Sequence, residues 1–313
     1  MVGALIAALI LGGCSMSAPT ASPAPPVARS TSRAAGITAR TTVISLTFDD
    51  GNRTQYLVFP YLIDHGMRAT FYVNTALIDA ADGSVMTWDQ LRRLAMAGND
   101  IGGHTLHHAD LPTLNDAAKT TEVCADRNRL VAQGFTPVSF AYPFGEHNPA
   151  SEVIVRSCGY HTARITGPLS RVHPTVSIPP TDPFAIDSFT NGEEGQDNGP
   201  LQLTDLQSVV RAAAARGGGW VPIVFHMVCR PSASDYQQCM NSDGPIELSV
   251  LTAFINWLST DSPPGTIVRP INEVGAPQSA APNAPPAPRA RRGSSRTPAV
   301  SGHDQRRPPL GFR

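Results

Sequence analysis

The sequence predicts an α/β chain whose parallel strands close, or nearly close, into a barrel, and three observations predict it. Between about residues 41 and 270, short runs rich in β-branched and aromatic residues alternate with longer stretches of helical period. Strand–helix alternation of this kind makes parallel strands joined by helical crossovers, with helices covering the sheet. About seven such repeats fit within some 230 residues, a length that suits a closed ring better than an open doubly wound sheet. No glycine-rich dinucleotide or phosphate loop follows the first strand, which lowers the open-sheet option further.

The elements follow in order. VISLTF, Val43–Phe48, is the first strand. Thr54 to Gly66 reads as a helix, with Thr54 a possible cap, Pro60 a kink and Gly66 a stop. RATFYVN (68–74) is a strand, and Thr87 to Gly98 is a helix whose Thr87 and Gln90 form a capping box. Asn99 to Thr105 is a strand end, Leu114 to Gly134 a helix, Pro137 to Gly145 a strand and Ala150 to Gly159 a helix. Tyr160–Thr166 and Phe184–Thr190 are short strands. Thr204–Gly218 is a helix, Trp220–Val228 a strand, Ile246–Ser259 a helix and Gly265–Pro270 a last strand.

Composition divides the chain into a body and two ends. Residues 1–14 hold an apolar run of about ten residues, too short to span a bilayer as a helix. They read as an export signal, and LGGC resembles a lipoprotein processing box with Cys14 as the lipidated residue. Residues 15–41, rich in Ala, Pro, Ser and Thr, read as a linker or stalk. The globular domain is expected over 42–270, and 271–313 as a disordered Pro- and Arg-rich tail. Residues 40–270 carry 15 basic and 23 acidic side chains, whereas seven arginines face two acids beyond Pro270. An acidic body without a basic, aromatic face excludes nucleic-acid binding. The chain is expected to be a monomer, exported and then lipid-anchored at the outer membrane surface or secreted. With Cys14 lipidated, Cys124, Cys158, Cys229 and Cys239 remain, an even number that reads as two disulfides with three possible pairings. Cys229 and Cys239 enclose a short loop and are the natural pair, which leaves Cys124 for Cys158.

The polar residues of interest fall where strands end: Asp49 and Asp50, His104, Tyr142 to Gly145, Asp187 and His226. In a barrel of this type chemistry lies at the C-terminal ends of the strands. Paired aspartates before a glycine commonly do no more than cap a helix or form a turn, and a lone histidine after a strand is as often a core group. His104 and His108 stand at i and i+4, which reads as one face of a helical turn. Two imidazoles and one carboxylate form a common three-ligand set for Zn²⁺ or a similar ion, and a second carboxylate beside them is free to accept a proton.

TFDDG, HTLHH, FAYPFG and IVFHMV together resemble the successive motifs of the polysaccharide deacetylase family, the NodB-homology or carbohydrate esterase family 4 domain. The resemblance implies a distorted (β/α)7 barrel of NodB-homology type over roughly residues 42–270. It also implies metal-dependent removal of N- or O-acetyl groups from a glycan. Carried over position by position, it makes Asp49 the general base and His226 the general acid. Asp50, His104 and His108 become ligands of one divalent ion, Zn²⁺ first, with Co²⁺ or another transition metal as alternatives. It implies that Thr105 braces the metal loop, that Phe144 and Tyr142 line the oxyanion and substrate groove, and that Asp187 orients His226. Phe189 stands where the family carries tryptophan, and His107 has no family role. The chain departs from the pattern at Ala141, where the family commonly has an arginine paired with the base; Arg164, on the following strand, is the candidate substitute. The function expected is N-deacetylation of a cell-wall or chitin-like polysaccharide. An O-acetyl esterase, or a glycan-binding module with weakened catalysis, stands as the alternative.

Overall fold

The computed structural model describes residues 37, 40–190, 199–242 and 244–275. The expected signal, including Cys14, and nearly all of the expected linker and tail lie outside these residues. Ten strands are present among them: β1 Thr42–Phe48, β2 Thr70–Val73, β3 Asp100–Gly103, β4 Ser139–Ala141, β5 Thr162–Pro168, β6 Ile186–Ser188, β7 Gly219–Phe225, β8 Val228–Cys229, β9 Ile246–Glu247 and β10 Thr266–Val268.

Strands β1 to β6 pair in sequence order, all parallel, and β7 returns to pair with β1 along its whole length, from Thr42↔Gly219 to Phe48↔Phe225. The seam between β6 and β7 is held by a parallel bridge, Phe189↔Ile223. Pro222 accepts the Phe189 N–H through its carbonyl (2.8 Å). A residue's N–H and C=O point to the same side of a strand, so Pro222 turns its donor-less nitrogen to this seam and thins the ladder there. β10 wedges beside the start of β1 (Thr42↔Thr266 to Ile44↔Val268), while β2 takes the end (Thr47↔Thr70, Phe48↔Phe71). The result is a parallel sheet nearly closed into a distorted seven-stranded barrel, with helices on its outside, as the alternation implied.

The period of two in the strands sorts the core. Ile44, Leu46 and Phe48 face outward with Phe71, Val73, Val221, Ile223 and Phe225, packing against the covering helices. Val43, Tyr72, Ala141, Ile186 and Trp220 form the separate cluster inside the ring. Gly102 leaves the space that the Tyr72 ring fills; a Cβ there would lie 2.6 Å from it. The buried Trp220 indole donates to Ser45 Oγ (2.9 Å), which in turn donates to the Arg269 carbonyl (2.7 Å).

Several boundaries differ from expectation. The stretch from Thr54 to Gly66 is a 3₁₀ helix, Arg53–Val58, followed by an α-helix, Phe59–Asp64, and Pro60 sits in the first turn of the latter, where its missing N–H costs nothing. A helix at Thr75–Ala80 went unforeseen. The long helix over 116–132 carries a π-helical turn at Thr121–Ala125. The capping box of Thr87 and Gln90 forms as expected. The domain does not stop at Pro270: the helix Ile271–Val274 packs Ile271 and Val274 against Trp220 and Val43, closing the lower end of the ring. Those residues are therefore core, and the expected start of the tail moves beyond them. No helix among the described residues is long and apolar enough to cross a membrane.

Near that lower end, burial pushes Asp100 up to about 6, against hydrogen bonds from Ser139 and Thr70 that favour its charged form. A carboxyl raised above its unfolded value of 3.8 stabilises the fold while it is protonated, and that contribution is lost as pH climbs through about 6. Asp100→Asn removes this titration. Its urea midpoint relative to the parent is expected to rise steadily between about pH 4 and pH 7; a flat difference would assign the proton elsewhere.

Candidate metal and catalytic centre

The inward rows of the strands converge at the upper end of the ring. Continuing the parity of Val43, Ser45 and Thr47 reaches Asp49. Thr70 and Tyr72 lead to Asn74, Asp100 and Gly102 lead to His104, and Trp220, Pro222 and Val224 lead to His226. Alternation in β-strands thus points these four side chains at one another.

Asp49 is 1% exposed, and Arg164, wholly buried on β5, forms an ion pair with its Oδ2. The guanidinium lies over the Tyr72 ring, 5.2 Å from its centroid. Arg164 is the direct neighbour of Ala141 across the β4–β5 ladder. A guanidinium therefore reaches Asp49 from one strand beyond Ala141, the placement expected of Arg164 as the candidate substitute. Asp49 Oδ1 accepts no hydrogen bond among the described residues. Gln55 is a site residue the sequence did not disclose. Its carboxamide donates to the carbonyls of Asp49 and His226 (3.0 Å to the latter), tying the two strand ends together.

Asp50 turns the other way. Its φ of 70° and that of Gly51, 66°, swing its carboxylate toward the histidines. Oδ1 lies 3.4 Å from His104 Nε2 and 3.3 Å from His108 Nε2. His104 Nδ1 is 2.7 Å from the Ala141 carbonyl; donation to that oxygen leaves Nε2 with its lone pair facing Asp50. Asp50 Oδ1 is buried and has no hydrogen-bond donor. Burial opposes ionisation of Asp50, but the neighbouring imidazoles, His104 foremost, hold it down to about 2. Burial also works against a charged His104, yet Asp50 and Asp49 outweigh it and raise its pKa. His108 is lowered, first by burial and then by His104. One atom from each of Asp50, His104 and His108 lies within 4.8 Å of the others. Three acceptors converging without a donor between them fit a bound cation, and the N/N/O set suits Zn²⁺.

The histidines do not meet on a helical turn. Residues 104–110 form an irregular loop in which Thr105 (φ 67°) and His108 (φ 58°) are both left-handed. Together with Asp50 and Phe144 (φ 61°) they make up four of the five non-glycine residues with positive φ among those described. A β-branched residue in that region is strained by about 1–3 kcal/mol, so neighbours must hold it. The Asn74 carboxamide donates to the His104 and Thr105 carbonyls, the latter at 3.3 Å. The Thr105 hydroxyl accepts the Ala109 N–H at 3.0 Å.

The family model described as polysaccharide deacetylase matches residues 36–163. Over these residues the chain is similar to the polysaccharide deacetylase family. A chitin deacetylase from a Pestalotiopsis species is 32% identical over 167 residues, 51% of this chain and 53% of the relative. A chitin deacetylase from Colletotrichum lindemuthianum is 30% identical over 128 residues, 38% of this chain and 48% of the relative. The chain thus spans about half the length of these curated relatives. The solved peptidoglycan deacetylase PdaC of Bacillus subtilis aligns with 16% identity and a TM-score of 0.45, covering 76% of this chain and 91% of that one.

Several expected site residues stand elsewhere in the structure. Tyr142 is fully buried in the cluster of Phe140, Leu111 and Tyr160 and does not line a groove. Its parity with Phe140 turns it away from the ring's interior. Phe189 and Trp220 are likewise core, whereas Phe144 is 62% exposed and sets its ring edge against His108, centroids 4.5 Å apart. Asp187 does not orient His226. Burial raises its pKa and its charged neighbour is His147, while His226 Nδ1 has no partner among the described residues. That nitrogen instead abuts Gly244, where a Cβ would lie 2.5 Å away. His226 Nε2 is 4.0 Å from Asp49 Oδ2. His107 points outward to Glu122, Nδ1 to Oε1 2.8 Å. The disulfides are Cys124–Cys158 and Cys229–Cys239, the expected pairing.

Removing one partner of a buried ion pair strands the other charge. Arg164→Met is expected to destabilise the fold by about 3–5 kcal/mol at neutral pH, read from urea unfolding. Moving the cation back across the ladder, with Ala141→Arg and Arg164→Ala together, is expected to recover part of that loss.

Proposed function

We propose that the chain is a metal-dependent N-deacetylase of a cell-wall or chitin-like polysaccharide. The observation that carries this reading is the pair of adjacent aspartates with divided environments: Asp50 faces two imidazoles, and Asp49 is pinned by Arg164 with one oxygen left free. Asp50, His104 and His108 would hold one divalent ion, Zn²⁺ first by its donor chemistry. When bound, such an ion acts as a Lewis acid toward an acetyl carbonyl and lowers the pKa of water beside it.

The remaining roles fall to the chain itself. Arg164 fixes the Asp49 carboxylate through Oδ2, so Oδ1 is the oxygen that accepts a proton as water adds to the acetamido carbon. The amide of Phe144, whose ring lies against His108, is the donor for the oxygen that gains charge. His226, partly exposed at the end of β7, donates a proton to the departing nitrogen as the C–N bond breaks, giving acetate and a free amine. The exposed Phe144 ring offers a face for a sugar. A cavity of about 720 Å³, lined by Asn52, Arg53, Met227, Arg230 and Asp235 among others, begins one residue beyond His226 and offers room for neighbouring sugars. Two disulfides support export to an oxidising compartment, in line with the lipid-anchored or secreted location read from the N-terminal sequence.

Acetate release from chitin oligomers, peptidoglycan and acetylated xylan, with and without chelator, tests the reading. Release is expected from the N-acetylated glycans, lost with chelator and restored by Zn²⁺; release from xylan alone would make the chain an O-acetyl esterase. Asp49→Asn is expected to lower turnover on amide and ester alike by about 10²–10⁴-fold. An amine leaves poorly without a proton and an aryl oxide leaves well, so His226→Ala is expected to harm amide cleavage far more than aryl acetate cleavage. Equal losses on the two substrates would remove His226 from the acid's role.

A further inference from the structure

The loop that carries His104 and His108 is held from one side by a single segment, and that segment is cross-linked. The π-helical turn Thr121–Ala125 interrupts the helix over 116–132. A π turn shifts the backbone hydrogen-bond pattern and releases carbonyls for outside partners. Here the Glu122 carbonyl accepts the Leu106 N–H at 3.1 Å. The Glu122 carboxylate accepts the His107 N–H at 3.0 Å and meets the His107 ring at 2.8 Å. Just past the turn, Asp126 accepts the His104 N–H at 3.3 Å through Oδ2. Through Oδ1 it accepts the Thr75 N–H at 3.1 Å and the Thr75 hydroxyl at 2.7 Å. Four contacts to the loop, at residues 104, 106 and 107, therefore come from positions 122 and 126. Cys124 lies midway between them, bonded to Cys158 at the end of the helix Pro149–Ser157.

We propose that the Cys124–Cys158 bond is a positioning element for the metal loop, so that the chain holds its ion tightly only after this disulfide has formed. The inference rests on Asp50, His104 and His108 being the ligands, and it adds that their preorganisation is linked to oxidation. Forming the bond takes two electrons and two protons from the cysteine thiols to an external disulfide, which leaves as a dithiol. Before that, Glu122 and Asp126 are tethered only by their own helix, and a left-handed Thr105 and His108 have one restraining wall fewer. The second disulfide, Cys229–Cys239, closes a loop elsewhere and makes none of these contacts.

The test uses the full chain carrying Cys229→Ala and Cys239→Ala, so that Cys124–Cys158 is the one disulfide a phosphine can open. Zn²⁺ affinity is measured by competition with a chromophoric chelator before and after reduction. Amide exchange at Leu106 and His107 is measured on the metal-free protein, with Leu46 in β1 as the reference. The unreduced variant is expected to match the parent in affinity. Reduction is expected to raise the Zn²⁺ dissociation constant by about tenfold or more and to speed exchange at Leu106 and His107 while Leu46 stays protected. Unchanged affinity overturns the proposal, whether or not exchange changes. If the parent takes up no Zn²⁺, the metal reading fails by itself, and the exchange comparison still decides whether the bond holds the loop. Should the reduced chain unfold, Glu122→Ala decides with the bond intact: a similar loss of affinity supports the brace, and no loss overturns it.

Discussion

Two carboxylates on consecutive residues, at the end of a strand buried on both faces, need two separate sources of positive charge, and the upper end of the barrel is arranged around that need. Two unit charges about 4 Å apart at an effective dielectric near 20 interact by about 4 kcal/mol, too much to leave uncompensated in a domain of marginal stability. The chain separates the two environments. Asp49 keeps the strand's parity and looks into the ring, where Arg164 meets it. Asp50 adopts a left-handed backbone and looks across to His104 and His108. One carboxylate is therefore answered by a permanent cation, and the other by a set of neutral donors suited to a metal ion. That division is what the proposed roles require: a first carboxylate held in place as a base, and a second free to ligate.

The loop after β3 answers the same constraint from the other side. For two imidazoles to reach Asp50 from residues four apart without a helix, the backbone must turn left-handed at Thr105 and His108. That conformation is unfavourable for both residue types, and it persists because Asn74, Glu122 and Asp126 take up the loop's carbonyls and N–H groups. The strain and its restraints sit together, as expected where geometry is held for function rather than for stability.

What the sequence disclosed and what it withheld follow from this physics. Strand order, the barrel, the two aspartates, the histidines, the disulfide pairing and the substitute arginine were all legible. The strands, aspartates, histidines and cysteines leave a mark in composition, spacing or strand-end position, whereas Arg164 was reached only through the resemblance, as a replacement for the arginine missing at Ala141. The path of the His104–His108 loop was not, because left-handed φ at a threonine and a histidine has no residue-type signal of the kind glycine gives. Tyr142 was misplaced for a different reason: a motif stretch that ends a strand carries both inward and outward positions. The period of two, applied from Ala141, would have turned Tyr142 toward the outer cluster. Asp187 failed as a partner for His226 because sequence order along a sheet says nothing of reach across a thin seam. The helix Ile271–Val274 was assigned to the tail since four residues before a low-complexity run carry too little pattern to register, although Ile271 and Val274 are apolar at helical spacing.

Arg164 shows how a charge can change its address without changing its place. In the family pattern the cation that holds the base stands at the position of Ala141. Here β4 and β5 are adjacent, Ala141 and Arg164 are register partners, and both face the interior. The interior has a limited volume, already taken up by Tyr72 and Trp220 where Gly102 and Ala141 make room. A second arginine beside the first would overfill it and add an unpaired buried charge, costly on both counts. An alanine at one position and an arginine at its partner satisfy packing and charge together. The requirement that persists is a guanidinium within reach of Asp49, and either of two neighbouring strands can meet it. A reading that asks which residue occupies a motif position finds a defect at Ala141; one that asks what neutralises Asp49 finds the site complete.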